Sequence, residues 1–444
     1  MTAIITNQFR LNSTKEFVND LLNTSKYYLF IGRSTSWADD AVPDTPLDAE
    51  FFTKTDAWQN MTAMKKVLST DIRYATPLRL WRTSTVYAEY DSKDPLLESK
   101  EYYVITDNNN VYMCLKAGPG ASTRSPDLTG VQVAGVIDYT AVDGYIWKYM
   151  FSLSIDAASK FLTSAFIPVD YIATDPGAGA DAALRNQWDV QSEAIPGAFY
   201  NIKISAGGTG YTSTPTVTVV GDGTGAMATA TVSGGIVTDI TVDNPGTGYN
   251  QANVVISGGG GSGAVAYAVL PPTGGFGADP RQELRAHYIT INVKLVYADG
   301  NDFIVGNDFR QIGLVRNPTN YGTSTVATAD TLKATKSLTI ALGGAFANDS
   351  VFEGTVSGAK GVVDSYDSTN GIIRYHQTAD TGFTDFTASD YVRPDGDSGA
   401  GQDVTAVTSP EVEQYSGEVI FLENRTPINR AGDQIETIKL VLEF

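Results

Sequence analysis

The chain has 444 residues, 42% of them hydrophobic and only 18% charged, which is too apolar for a disordered polymer and long enough for about three domains at ~150 residues each. A net charge of −19 opposes binding to phosphate backbones or to an anionic membrane surface, so neither nucleic acid nor membrane is expected as a partner. One cysteine and two histidines exclude an internal disulfide framework and zinc sites built from Cys and His.

The N-terminus has no signal-peptide pattern, and no run approaches the ~18 apolar residues of a membrane span. Ser13 and Glu16 have capping-box spacing, and Phe17, Val18, Leu21 and Leu22 share a helical face, which predicts a helix over 13–24. The apolar run 27–31, closed by Gly32, predicts a strand. Ala57, Met61, Met64 and Leu68 recur at helical spacing behind Asp56, which predicts a second helix ending before Pro77. The runs 101–106 and 111–116, separated by Asp107, Asn108, Asn109 and Asn110, predict a hairpin.

Between 198 and 272 the sequence turns to Gly, Thr, Val and Ala. Gly208-Thr209-Gly210-Tyr211 returns as Gly246-Thr247-Gly248-Tyr249, and the same offset of 38 pairs Ile202 with Ile240 and Val217 with Val255. Such a repeat predicts two similar β units stacked on one another, since one unit cannot bury its own apolar face. From 289 to 295 the residues alternate, Ile289, Ile291, Val293 and Leu295 against Thr290, Asn292 and Lys294, which predicts a strand with one wet face. A second set of short strands spans 340–409, and the alternation of Ile438, Leu440 and Leu442 ends the chain inside a sheet. The fold class is therefore mainly β with a few helices, a β-rich α+β chain. Its framework segments 1–197, 273–339 and 410–444 are interrupted by inserted modules at 198–272 and 340–409.

Candidate chemistry is sparse. Gly258, Gly260 and Gly263 have dinucleotide-binding spacing, but a β-like run follows where the phosphate-binding helix should start, so they are turn glycines. Asp395, Asp397 and Asp403 share a Gly-rich loop without calcium-loop spacing, and a solvated turn is favoured. His287 and His376 are expected at the surface or at strand ends, with no nucleophile motif nearby, and Cys114 is expected in a core. Tyr211 and Tyr249 offer two readings, stacking on host glycans or pinning their own turns, with pinning favoured. No catalytic residue, cofactor or metal is expected.

Several clusters are more distinctive. They are Arg33-Ser34 with Trp37, Asp56-Ala57-Trp58, then Arg79 and Trp81, and Asp143-Gly144-Tyr145-Ile146-Trp147-Lys148-Tyr149. Later come Asp308-Phe309-Arg310-Gln311-Ile312 and Glu423-Asn424-Arg425-Thr426-Pro427. Together, in this order, they resemble the dimeric baseplate wedge subunit of T-even-type contractile-tailed bacteriophages. The resemblance covers the framework and neither module. It implies a two-layer β framework with loop domains, a homodimer, contacts to other wedge proteins, a place in the virion's tail baseplate after assembly in the host cytoplasm, and no catalysis. Arg33, Trp37, Trp58, Trp81, Tyr145, Trp147, Arg310, Glu423, Asn424 and Arg425 become candidate structural or interface anchors. The alternative function is a tail adhesin binding host glycans through Tyr211 and Tyr249.

Overall fold

The computed structural model describes residues 4–127, 136–138, 143–297 and 302–444. The chain is mainly β with a few short helices. It divides into two compact units, one of Met1–Lys15, Arg73–Thr290 and Val441–Phe444, the other of Glu16–Ile72 and Ile291–Leu440.

The second unit is organised around a five-stranded antiparallel sheet. Its order is Thr331–Lys333, Met61–Lys66, Tyr27–Gly32, Asp308–Arg316, Glu418–Asn429. Tyr27–Gly32 lies in the middle with all six residues buried, which is why its sequence is a continuous apolar run and not an alternation. The helix Glu50–Asn60 packs Ala57 and Trp58 on Tyr28, Phe30, Met64 and Val315 of this sheet.

Two helix expectations need correction here. The second helix ends at Asn60, where the Asn60 amide donates to the Asp56 carbonyl at 2.8 Å, and the chain passes directly into the strand Met61–Lys66. Met61 and Met64 are therefore strand residues: pairing with Tyr28–Gly32 on one side and Thr331–Lys333 on the other outweighs their helical spacing. The first helix begins at Asn7, with the Thr6 hydroxyl accepting the Phe9 amide, and continues into a π-turn at Asp20–Thr24. Ser13 is thus no cap; its hydroxyl donates back to the Phe9 carbonyl at 3.1 Å in mid-helix.

The same unit carries a six-stranded closed barrel in the order Lys336–Ile340, Ile372–His376, Lys360–Asp367, Val351–Gly354, Tyr391–Pro394, Gln402–Thr408. Its interior is filled by Leu338, Phe352, Val363, Tyr375, Phe386 and Val404.

In the first unit, the predicted hairpin forms between Tyr103–Ile105 and Asn110–Lys116, with Asn109 at a φ of 59° in the turn. Ile146–Ser152 and then Val136–Asp138 extend it to four strands. This sheet is buried on both faces: Val111, Met113 and Leu115 look into one core, while Tyr112 and Cys114 look into another with Tyr145, Trp147 and Tyr149. Thr290 and Asn292 are also buried, so of the wet face that the alternation predicts for the strand Tyr288–Val296 only Lys294 is exposed.

The repeat folds differently from a stack. Thr224–Ser233 of the first copy pairs with Ile236–Thr247, whose C-terminal part belongs to the second copy, and Ser262–Ala268 of the second pairs back with Ile202–Thr209 of the first. The ladders obey the offset of 38 pair by pair: Thr224↔Thr247 matches Ser262↔Thr209, and Ala230↔Ile240 matches Ala268↔Ile202. Even the bulge at Met227/Ala228 recurs at Val265/Ala266. Val217↔Ile256 and Thr218↔Val255 place a pseudo-twofold between the two central strands. The copies are interleaved because each supplies the partner strand the other lacks.

Candidate functional site

The candidate site grows from the end of the buried strand Tyr27–Gly32. Gly32 has no room for a side chain, since a Cβ there would lie 2.5 Å from the Asn60 carbonyl oxygen. Arg33 follows in the left-handed region at a φ of 57° and donates its amide to that carbonyl at 2.7 Å, so the chain turns sharply out of the sheet.

The loop so launched is locked from several directions. The Arg33 guanidinium lies 3.7 Å over the Trp37 ring and 3.9 Å from Asp56. Burial pulls its pKa below the ordinary arginine value against the opposing fields of Asp56 and Asp44. Trp37 is buried, and its indole N–H donates to the Arg425 carbonyl at 2.9 Å, a contact spanning 388 positions of sequence.

Arg310, on the strand Asp308–Arg316, grips the same loop. It donates through Nε and Nη2 to the two oxygens of Asp40, each at 2.9 Å, and through Nη1 to the Ser34 carbonyl. The arginine's bonds hold the Asp40 carboxyl below the usual carboxylate range. Gln311 donates to Asp56 at 2.9 Å and to Asn424 at 3.0 Å, and Asn424 donates onward to the Asp44 carbonyl at 2.8 Å. Glu423 and Arg425 pair with each other at 2.8 Å on the edge strand Glu418–Asn429. Beside this network lies a cleft of about 410 Å³, lined among others by Arg33, Trp37, Asp44, Phe52, Asp56 and Asn424.

Five of the ten candidate anchors thus converge on the loop, Arg33, Trp37, Arg310, Asn424 and Arg425, and Glu423 pairs with the last of them. The other four lie apart. Trp58 is buried under the same sheet, and in the first unit Tyr145 and Trp147 stack at 5.8 Å within a core that Trp81 partly covers. Fully buried rings of this kind are struts of the monomer.

The sugar reading of Tyr211 and Tyr249 is corrected. Each is 5% exposed, and a Cβ on Gly261 or Gly223 would fall 2.5 or 2.4 Å from the respective ring carbon. The rings fill glycine cradles at equivalent places in the two copies and present no face to a ligand; pinning is their role. Gly258 and Gly260 have positive φ and lead into the strand Ser262–Ala268, as turn glycines do, while Gly263, also at positive φ, lies within that strand and not in the turn expected for it.

His287 directly precedes the strand Tyr288–Val296 and His376 ends the strand Ile372–His376, the strand-end positions expected, and both are buried. His287 lies 3.3 Å from Glu98, and burial lowers its pKa. His376 contacts Asp364 through Nδ1 at 2.8 Å, and the Ser34 hydroxyl donates to that same carboxylate oxygen at 3.0 Å. Ser34 and His376 therefore both address Asp364, an arrangement that docks the loop on the barrel and differs from a nucleophile–base pair. Burial alone would push His376 down, but the Asp364 charge prevails and raises its pKa. The sequence did carry a hint in the acid that directly follows Val362-Val363, since an acid within a buried strand implies a buried partner. Lys148, amid the aromatic run of its strand, is a similar case. It is 1% exposed, with its pKa drawn down to about 8 by burial, and the buried Glu283 is pushed up to about 8 for the same reason.

Cys114 is buried, and desolvation pushes its thiol pKa well up, as for a core residue. Asp395 pairs with Lys360 at 2.7 Å and Asp397 caps the Gly399 amide at 3.0 Å. Among the described residues no cluster of three His, Cys, Asp or Glu side chains could hold a metal ion, and no helix is long and apolar enough to cross a membrane. The chain matches no family model and no curated protein.

Proposed function

We propose that this chain is a structural subunit of the baseplate wedge in a contractile phage tail, working as a homodimer held against other wedge proteins. The observation that carries the reading is the convergence of Arg33, Trp37, Arg310, Asn424 and Arg425 on one loop. Arg310 is bound to Asp40 and the Ser34 carbonyl, Trp37 to the Arg425 carbonyl and Asn424 to the Asp44 carbonyl, which makes a rigid support for an outer surface. Groups held in this way transmit force between neighbours and are poorly placed to exchange protons with a substrate. The acidic surface adds charge-steered docking onto basic neighbours.

Two measurements test the proposal. Mass spectrometry of purified virions from the encoding phage should find the chain in the tail, and sedimentation of the purified protein should give a dimer. A chain missing from virions, or a monomer that degrades polysaccharide, would overturn the reading.

A further inference from the structure

The loop and helix start between 42 and 52 form an acidic, apolar surface beyond the grip of Arg310 on Asp40. This stretch exposes Asp44 and Asp48 and holds no Lys or Arg. Within it Val42 is 70% exposed, Leu47 61%, Phe51 85% and Phe52 56%, a concentration of bare large side chains that a free surface does not favour. Of the cations nearby, Arg310 is bound to Asp40. Arg33 is stacked on Trp37, and Lys54 donates to the Gly417 carbonyl at 3.3 Å. Leu47 and Phe52 also line the cleft beside Trp37, so the exposed apolar groups continue into a concave wall.

We infer that this surface docks a segment of another protein in which cationic and apolar side chains are interspersed. Lys or Arg would meet the carboxylates of Asp44 and Asp48, and Leu or aromatic side chains would cover Phe51 and Phe52. Charge complementarity selects the occupant. A second copy of a chain carrying −19 would bring the same acids face to face, and nucleic acid or anionic lipid would be repelled. The inference rests on the assembly reading for the existence of a protein neighbour and adds its chemistry and its seat.

The test uses the full chain and two fluorescent peptides of equal apolar content rich in Leu and Trp, one carrying Lys and Arg, the other Glu. The cationic peptide should bind, protect amides of 42–52 from hydrogen exchange, and lose roughly ten-fold or more in affinity at high salt. Phe51→Ser with Phe52→Ser, and separately Asp44→Asn with Asp48→Asn, should each weaken it by a similar factor while leaving the melting transition in place, because these side chains are exposed. Equal binding of both peptides, no binding of the cationic one, indifference to both double variants, or self-association abolished by them would overturn the inference. Failure here with the chain present in virions would remove only this docking face. Binding here with the chain absent from virions would remove only the wedge reading.

Discussion

The barrel of 336–408 and the duplicated module of 202–268 are both antiparallel β structures of similar size, yet they bury different things. The barrel closes on itself and fills its interior with rings, Phe352 stacked on Phe386 at 4.8 Å with Tyr375 edge-on to both. Closure also lets it bury acids safely. Asp390 is fully buried and accepts amides from Val356, Ser357 and Thr387 at 3.1, 2.7 and 2.8 Å, which holds its carboxyl below the usual range despite burial. The duplicated module has a core of Ala, Val and Ile around Tyr211, Tyr249 and Phe199, and achieves close packing through glycines that admit a ring or a neighbouring backbone. One region is held by side-chain volume, the other by backbone shape.

The contrast can be broken most forcefully in the barrel. Phe352→Ala removes a fully buried ring and should cost about 3–5 kcal/mol in denaturant unfolding. A loss below about 1 kcal/mol would show that the barrel interior is loosely filled. In the duplicated module the sensitive changes add atoms. Gly223→Ala and Gly261→Ala should each cost about 1–3 kcal/mol by overpacking against Tyr249 and Tyr211, and the two costs should be equal. A neutral result at one of the pair would break the pseudo-twofold as an energetic symmetry.

Acidity sharpens the comparison with smaller effects. His376 has a folded-state pKa above its ordinary value of 6.5, so the stability it contributes is fully present below that value and is lost as pH rises through the raised one. Hydrogen exchange of barrel amides, corrected for intrinsic rates, should therefore quicken as pH rises above 6.5, and His376→Gln should flatten that dependence. The segment 202–268 contains no histidine, and its amides, corrected for intrinsic exchange, should show no such change. A matching trend in both regions would point to a global cause. Smallest of all should be Lys116→Met, which removes the 2.8 Å pair to a half-exposed Asp239 and should cost less than about 1 kcal/mol in melting experiments.

Legibility followed the range of the interactions involved. The hairpin 101–116 was readable because its turn residues and both strands are neighbours in sequence, and the duplication because a repeat announces itself at any distance. Met61 and Met64 misled because their spacing suits a helix equally well, and the choice was made by strands at 27–32 and 331–333. The aromatic and arginine motifs stood out as unusual, but nothing local told Trp37, which meets the Arg425 carbonyl, from Trp147, which lies in a core. His376 looked peripheral because its partner Asp364 sits on another strand.

By itself the sequence determined a β-rich chain, acidic overall, with a period of 38 in its Gly-rich part and strands where apolar runs are bounded by turn residues. Only the tertiary structure decided that the repeats exchange strands, that 336–408 closes into a barrel, and that five scattered motif residues meet at one loop. The reason is physical. Propensity and periodicity act over a few residues, whereas ladder partners, ring packing and buried ion pairs are chosen among groups brought together only once the chain has folded.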